Sequence, residues 1–187
     1  LLEGSWGSRV ESYGYAYLGT MKKLLSILSL AILISSCSET KERISNDKVT
    51  IVDDVCYLKA DMSIVTGIVT QAYEDGQLER EINYKDGKKD GLYKSWDKNG
   101  QLKLEVNYKD GELDGLAKSW HSNGQSKKEV NYKDGKLDGL GKYWYENGQL
   151  EGEVNYKDGE LDGLYKGWNE DGQLESEANL KDGVKDG

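Results

Sequence analysis

Two cysteines, one histidine and a periodic row of carboxylates are where chemistry would first be sought in this 187-residue chain. Cys37 follows Ile34-Ser35-Ser36, whereas Cys56 sits in the strand-forming string Ile51-Val52-Asp53-Asp54-Val55-Cys56-Tyr57-Leu58. A nucleophile needs a base within hydrogen-bond reach. No base is evident for Cys56, and the only histidine, His121, falls in a turn. Cys56 therefore reads as a small buried residue. No phosphate-cradling glycine loop occurs either. The carboxylates Glu81, Glu105, Glu129, Glu153 and Glu177 recur every 24 residues. A calcium site wants about six to eight clustered oxygens, and one acidic group per strand does not supply them. That row reads as a solvated face with lysine neighbours. The recurring Asp-Gly pairs are turn formers and do not match a calcium-loop motif. The expectation is a protein that is not an enzyme, with no cofactor and no metal.

Cys37 belongs to a different chemistry. Met21-Lys22-Lys23 is a short basic start, and Leu24 to Ile34 is an apolar run of 11 residues. Such a run is too short to span a bilayer, which takes about 20 residues, but suits the core of a signal peptide. With Ile34-Ser35-Ser36-Cys37 at its end, the segment resembles a bacterial lipoprotein signal. The resemblance implies cleavage before Cys37 and acylation of that cysteine, with an ordinary secretory signal as the alternative. Acylation would leave Cys56 without an intramolecular disulfide partner. The expected organisation is an upstream extension over 1–20, a signal peptide over 21–36, a polar tether over 37–48, a lead-in strand region over 49–62, and a repeat array over 63–187.

The elements that position everything else come from that array. Tyr84 to Asn107, YKDGKKDGLYKSWDKNGQLKLEVN, recurs from Tyr108, Tyr132 and Tyr156 at a spacing of 24 residues. A looser copy precedes them, and a fifth begins at Leu180 and stops. A fixed period of this size marks an array whose units bury their apolar sides against neighbours. Each unit reads as two short alternating strands around a turn. A two-residue loop at Asn99-Gly100 would set Trp96 opposite Lys103. A three-residue loop, Lys98-Asn99-Gly100, instead sets Trp96 opposite Leu102 and Leu92 opposite Val106, gathering the apolar residues on one face. The pattern favours the second, with a type I turn over Asp97 to Gly100 and a left-handed glycine at its end. The stretch from Lys109-Asp110-Gly111 through Asp114-Gly115 then links one hairpin to the next. Glu81 and its equivalents, with Asn83, Asn107, Asn131, Asn155 and Asn179, fall on the opposite, polar face. The expected fold is all-β: an elongated single-layer antiparallel sheet of consecutive 24-residue hairpins. It ends without a complete last unit, and either a truncated product or a partner at that edge is expected.

Charge narrows the partners. Residues 84–107 hold six basic and four acidic groups, 108–131 four and four, 132–155 three and five, and 156–179 two and seven. An acidic array attracts neither nucleic-acid phosphates nor an anionic lipid surface. Membrane association is therefore expected through Cys37 alone, and no nucleic acid is expected. Trp96, Trp120, Trp144 and Trp168, with Tyr108, Tyr132 and Tyr156, are the candidate partner-binding residues, aromatic and suited to interfaces. Packing of the same tryptophans between stacked hairpins is the competing reading.

The motifs Tyr108-Lys109-Asp110-Gly111, Asp114 to Trp120 and Asn147 to Glu153 are similar to the bacterial variety of the MORN repeat, over roughly residues 63 to 187. The resemblance implies consecutive β-hairpins in a long twisted antiparallel sheet. It also implies one of two roles: a scaffold for membranes and proteins, or an antitoxin component of a toxin–antitoxin system. The leading expectation is a non-enzymatic, lipid-anchored scaffold that binds an as yet unidentified protein at a bacterial cell envelope, at the outer membrane. An antitoxin-like or immunity-like component and a glycan-binding repeat module are the alternatives.

Overall fold

The computed structural model describes residues 41–185. The upstream extension, the signal peptide, Cys37 and the first tether residues lie outside it. Among the described residues no helix is long and apolar enough to cross a membrane.

The strands are β1 Arg43–Ser45, β2 Val49–Val52, β3 Val55–Leu58, β4 Gly67–Ala72, β5 Leu78–Lys85, β6 Lys88–Trp96, β7 Leu102–Lys109 and β8 Glu112–Trp120. They continue as β9 Ser126–Lys133, β10 Lys136–Leu137, β11 Gly139–Trp144, β12 Leu150–Lys157, β13 Glu160–Trp168, β14 Leu174–Lys181 and β15 Val184–Lys185. From β4 to β15 each strand pairs antiparallel with its sequence neighbours in one long sheet, with short β10 a side pairing of β9. The expected sheet of consecutive hairpins is thus the observed one.

Two turns alternate along it. Asp-Gly closes the short ones: Lys109 pairs with Glu112, so only Asp110 and Gly111 lie between the strands. Their φ angles of +52° and +100° are those of a type I′ turn, where both central residues must be left-handed. The long loop is the one read from Lys98-Asn99-Gly100. The Gly100 amide donates to the Asp97 carbonyl at 3.0 Å, and Gly100 has φ +78°. Asp97 Oδ1 accepts from the amides of Asn99 (2.7 Å) and Gln101 (3.1 Å), which fixes the loop with a side chain that suits turns.

Two expectations about the unit need correction. Trp96 does pair with Leu102, but the next pairs are Ser95 with Leu104, Tyr93 with Val106 and Leu92 with Asn107. Lys103 is an extra residue on β7, a bulge that shifts register by one. Leu92 therefore faces Asn107 rather than Val106. Leu102 joins Trp96 on one side of the sheet, while Leu104 and Val106 join Tyr93 on the other. The connection between hairpins is also shorter than expected. Asp114-Gly115 lies within β8, where the register slips between the Val106–Ala117 and Tyr108–Leu113 pairs, and Gly115 takes φ +96°.

The apolar side is continuous across the sheet. Val69, Ile82, Tyr93, Val106, Ala117 and Val130 are neighbours in turn on β4 to β9. Val106, Ala117 and Val130 are buried, with Tyr93, Leu104, Tyr108, Leu113, Tyr132, Leu137 and Tyr143 packed around them. At the N-terminal end a second cluster joins Ile44, Val49, Cys56, Val65, Val69 and Tyr84. It is built by segments assigned from sequence to tether and lead-in. Arg43–Ser45, expected within the tether, forms β1 and pairs parallel with β4 because Ile44 has an apolar side to bury. The β2–β3 hairpin turns on Asp53-Asp54 at φ +48° and +63°. It is sewn to the array by three backbone bonds: Cys56 N–H to the Gly87 carbonyl (2.8 Å), Gly87 N–H to Val65 (2.8 Å), and Val65 N–H to Cys56 (3.0 Å).

Candidate partner-binding surface

Side chains alternate along a strand, so Leu92, Lys94 and Trp96 share one side and Tyr93 and Ser95 the other. The aromatic residues singled out from sequence are therefore not one surface. Trp96, Trp120, Trp144 and Trp168 pair with Leu102, Ser126, Leu150 and Leu174 near the long loops, and all four are half-buried. Tyr108, Tyr132 and Tyr156 lie on the opposite, apolar side, each directly across from a glycine: Gly91, Gly115 or Gly139. Their rings fill space beside residues that have no side chain. Tyr93 and Tyr108 meet edge to face at 6.4 Å, and the hydroxyls of Tyr143 and Tyr156 hydrogen-bond at 2.7 Å. Burial and that hydrogen bond push the Tyr143 phenol well above its ordinary range. Burial likewise raises Tyr108, and lifts Tyr84 to about 12. A groove of about 230 Å³ runs along this side between Leu104, Val106, Tyr108, Ala117, Val130 and Tyr132.

The tryptophan side carries the glutamate row, and the row is satisfied within the molecule. Lys94 bonds Glu105 at 3.0 Å, Lys118 bonds Glu129 at 3.0 Å, Lys142 bonds Glu153 at 2.8 Å, and Lys166 approaches Glu177 at 3.7 Å. Strand by strand, glutamate and lysine alternate from Glu81 to Glu177. Among the described residues no group of three or more acidic, histidine or cysteine side chains is placed to hold a metal ion. The asparagine row has a task that composition did not reveal. The side-chain amides of Asn83, Asn107 and Asn155 donate to the carbonyls of Leu92 (2.7 Å), Leu116 (3.1 Å) and Leu164 (3.2 Å), bridging the irregular step at Asp90-Gly91, Asp114-Gly115 and Asp162-Gly163.

What that side leaves to solvent is a leucine row that sequence reading passed over. Leu116, Leu140 and Leu164 are 37%, 39% and 38% exposed, one in each of the last three repeats, each opposite an asparagine. The signal was the Asp-Gly-Leu string, in which the leucine sits one residue out of phase with the buried valines.

The residues with reactive side chains are committed elsewhere. Cys56 is fully buried, and burial raises its thiol above the usual value, which disfavours the thiolate that nucleophilic chemistry needs. His121 Nε2 lies 2.7 Å from the Trp144 carbonyl oxygen. Equivalent links run from the Tyr73 hydroxyl to the Trp96 carbonyl (2.8 Å) and from Tyr145 to Trp168 (2.9 Å). The histidine thus belongs to a series that ties successive long loops together. The amides of Asn123 and Asn147 extend it to the carbonyls of Glu146 and Glu170.

Residues 65–86, 89–110, 113–134, 137–158 and 161–182 each match the family model described as MORN repeat variant. The chain belongs to the MORN repeat variant family. Each MORN match ends on the aspartate of a two-residue Asp-Gly turn, so one unit is the hairpin around one long loop. In that phase the looser first copy is a full unit, and the array holds five. No curated protein matches this MORN chain. Among solved structures, the crystal structure of a GtfA/B complex bound to UDP and GlcNAc matches at 18% identity over 68% of this chain and 22% of that one. Its TM-score of 0.23 is too low to bear on fold or function.

Proposed function

We propose that this MORN array is a non-enzymatic scaffold that presents its leucine–tryptophan side to a protein partner, held at a bacterial cell envelope by an acylated Cys37. The observation that supports it is the in-register exposure of Leu116, Leu140 and Leu164 beside a charge ladder that is already neutralised. Apolar side chains repeated at one position in three successive units, among paired charges and half-buried tryptophans, make the mixed surface that protein interfaces use. Cys56 is buried and His121 is engaged with a carbonyl, which supports a non-enzymatic role. The acidic balance of the repeats leaves membrane attachment to the lipid.

Crosslinking in the native cell tests the docking surface. The full chain should capture one defined protein, and Leu116→Ser with Leu140→Ser and Leu164→Ser should lose it without loss of the sheet's circular dichroism. Unchanged capture by the folded triple variant would refute this surface, and recovery of a toxin would favour an antitoxin role. Cys37→Ser should move the protein from the membrane fraction to the soluble one. No shift in fractionation and no lipid in the intact mass would refute the anchor.

A further inference from the structure

The charge gradient along the array has a definite place in the fold. Two exposed positions in each of the second to fifth units carry most of it, and both lie at the long-loop edge. The first, two residues after the tryptophan, reads Lys98, Ser122, Glu146, Glu170; the second, the bulge residue, reads Lys103, Lys127, Glu151, Glu175. Among the described residues none of these lysines forms an ion pair, and neither do Glu151, Glu170 and Glu175; Glu146 stands 4.0 Å from His121 Nδ1. The ladder on the same strands keeps its alternation of sign throughout. From the second unit to the fifth this edge therefore runs from basic to acidic, with charges that the chain itself leaves unmatched, while the first unit, with Glu74, Asp75 and Glu79, is acidic there.

We propose that this edge is a self-complementary contact through which two copies of the chain associate antiparallel. A two-fold axis between the loops at 121–125 and 145–149 sets Lys98 and Lys103 of one copy against Glu170, Asp171 and Glu175 of the other, and Lys127 against Glu146 and Glu151. The long loops recur every second strand, about 9.6 Å apart, because neighbouring strands lie about 4.8 Å apart. Both copies have that spacing, so successive loop pairs recur at the same interval on the two edges, with the pairs nearest the axis meeting first as the sheets twist. Side-by-side parallel packing would set like charge on like. The acidic loop of the first unit, with Glu74 and Asp75, extends past the last loop of the second copy and opposes nothing. Isologous contacts of this kind are the commonest route to closed dimers, and the tryptophan row beside the edge supplies apolar area. Since the matched charges are exposed, the association depends strongly on salt.

Sedimentation of the full chain carrying Cys37→Ser, so that no acyl group contributes, tests this. A dimer is expected at about 0.02 M salt, its Kd weakening at least 10-fold at about 1 M, where screening is short-ranged. Lys98→Glu with Lys103→Glu should give a monomer, and so should Glu170→Lys with Glu175→Lys. An equimolar mixture of the two variants, and a chain carrying all four changes, should each recover the dimer. The proposal is overturned by a monomer at low salt, by a dimer indifferent to either reversal, or by failure of the four-fold variant to recover while its circular dichroism is native. This contact is separate from the leucine row, so the leucine triple variant should still dimerise, which distinguishes failure of one surface from failure of the other.

Discussion

The seam between the lead-in hairpin and the array can be probed with one pair of glycine substitutions. Gly87 and Gly111 occupy the same place in successive Asp-Gly turns, at φ +78° and +100°. Alanine at either adopts the left-handed region at a cost of about 1–2 kcal/mol. At Gly111 nothing lies within 4 Å of the added methyl, so that cost is all there is. At Gly87 the methyl would run into Val55 Cγ1 and stand 3.1 Å from Ile64 Cγ2 and 3.2 Å from the Cys56 carbonyl oxygen. Overpacking of that kind adds roughly 1–3 kcal/mol, and here it falls on the hairpin and not on the array. The readout is Cys56, which is fully buried. Its thiol reacts only when the hairpin opens, and about 2 kcal/mol of local destabilisation raises the open fraction about 30-fold. Thiol labelling with the modified cysteine identified by peptide mass should therefore be about 30-fold faster at Cys56 in Gly87→Ala and nearly unchanged in Gly111→Ala. Equal labelling in the two variants would refute the packing of the hairpin over the first Asp-Gly turn.

Three further outcomes are expected. Tyr84 is raised to about 12, chiefly by burial, from an unfolded value near 10. Its contribution is present below pH 10 and is lost as pH climbs through 12, so the unfolding free energy from denaturant titrations should fall over that window by on the order of 2 kcal/mol, and by less in Tyr84→Phe. Asn107→Ala removes the bridge to Leu116 and should cost about 1 kcal/mol by chemical denaturation. Asn131→Ala, at the one of the four irregular Asp-Gly steps where the asparagine amide makes no such bridge among the described residues, should cost less. Lys118→Ala breaks a partly exposed ladder pair and should change stability by no more than about 0.5 kcal/mol, a loss that about 1 M salt reproduces in the parent.

The repeat, its strands and its long loop were legible because they rest on residues with few alternatives: a glycine that must be left-handed, preceded by a turn-forming asparagine or aspartate. Register beyond the loop was not, since the bulge position carries lysine in two units and glutamate in three and announces itself by no residue type. The same dipeptide, Asp-Gly, closes the turn at Asp110-Gly111 and bends a strand at Asp114-Gly115. Only the pairing partners across the sheet tell the two uses apart. The unrecognised bulge at Lys103 also hid the surface: it exchanges the sides of the sheet beyond the loop, where the sequence pattern places Val106 with Leu92 and leaves the leucine row out of view. The lead-in hairpin escaped for a related reason, since its turn uses two left-handed aspartates where glycine would have been the signal.

The Glu–Lys ladder has a consequence for how such a chain can change length. Each of the last four units contributes one glutamate and one lysine on adjacent strands, and each begins and ends at the same kind of two-residue turn. Excising or duplicating a unit at those turns leaves the alternation of sign unbroken and both sides of the sheet in phase. Half a unit would set like charges on neighbouring strands and reverse the buried face. The array is thus quantised: it can gain or lose whole units between one short turn and the next, while β1, paired along its first strand, stays as it is.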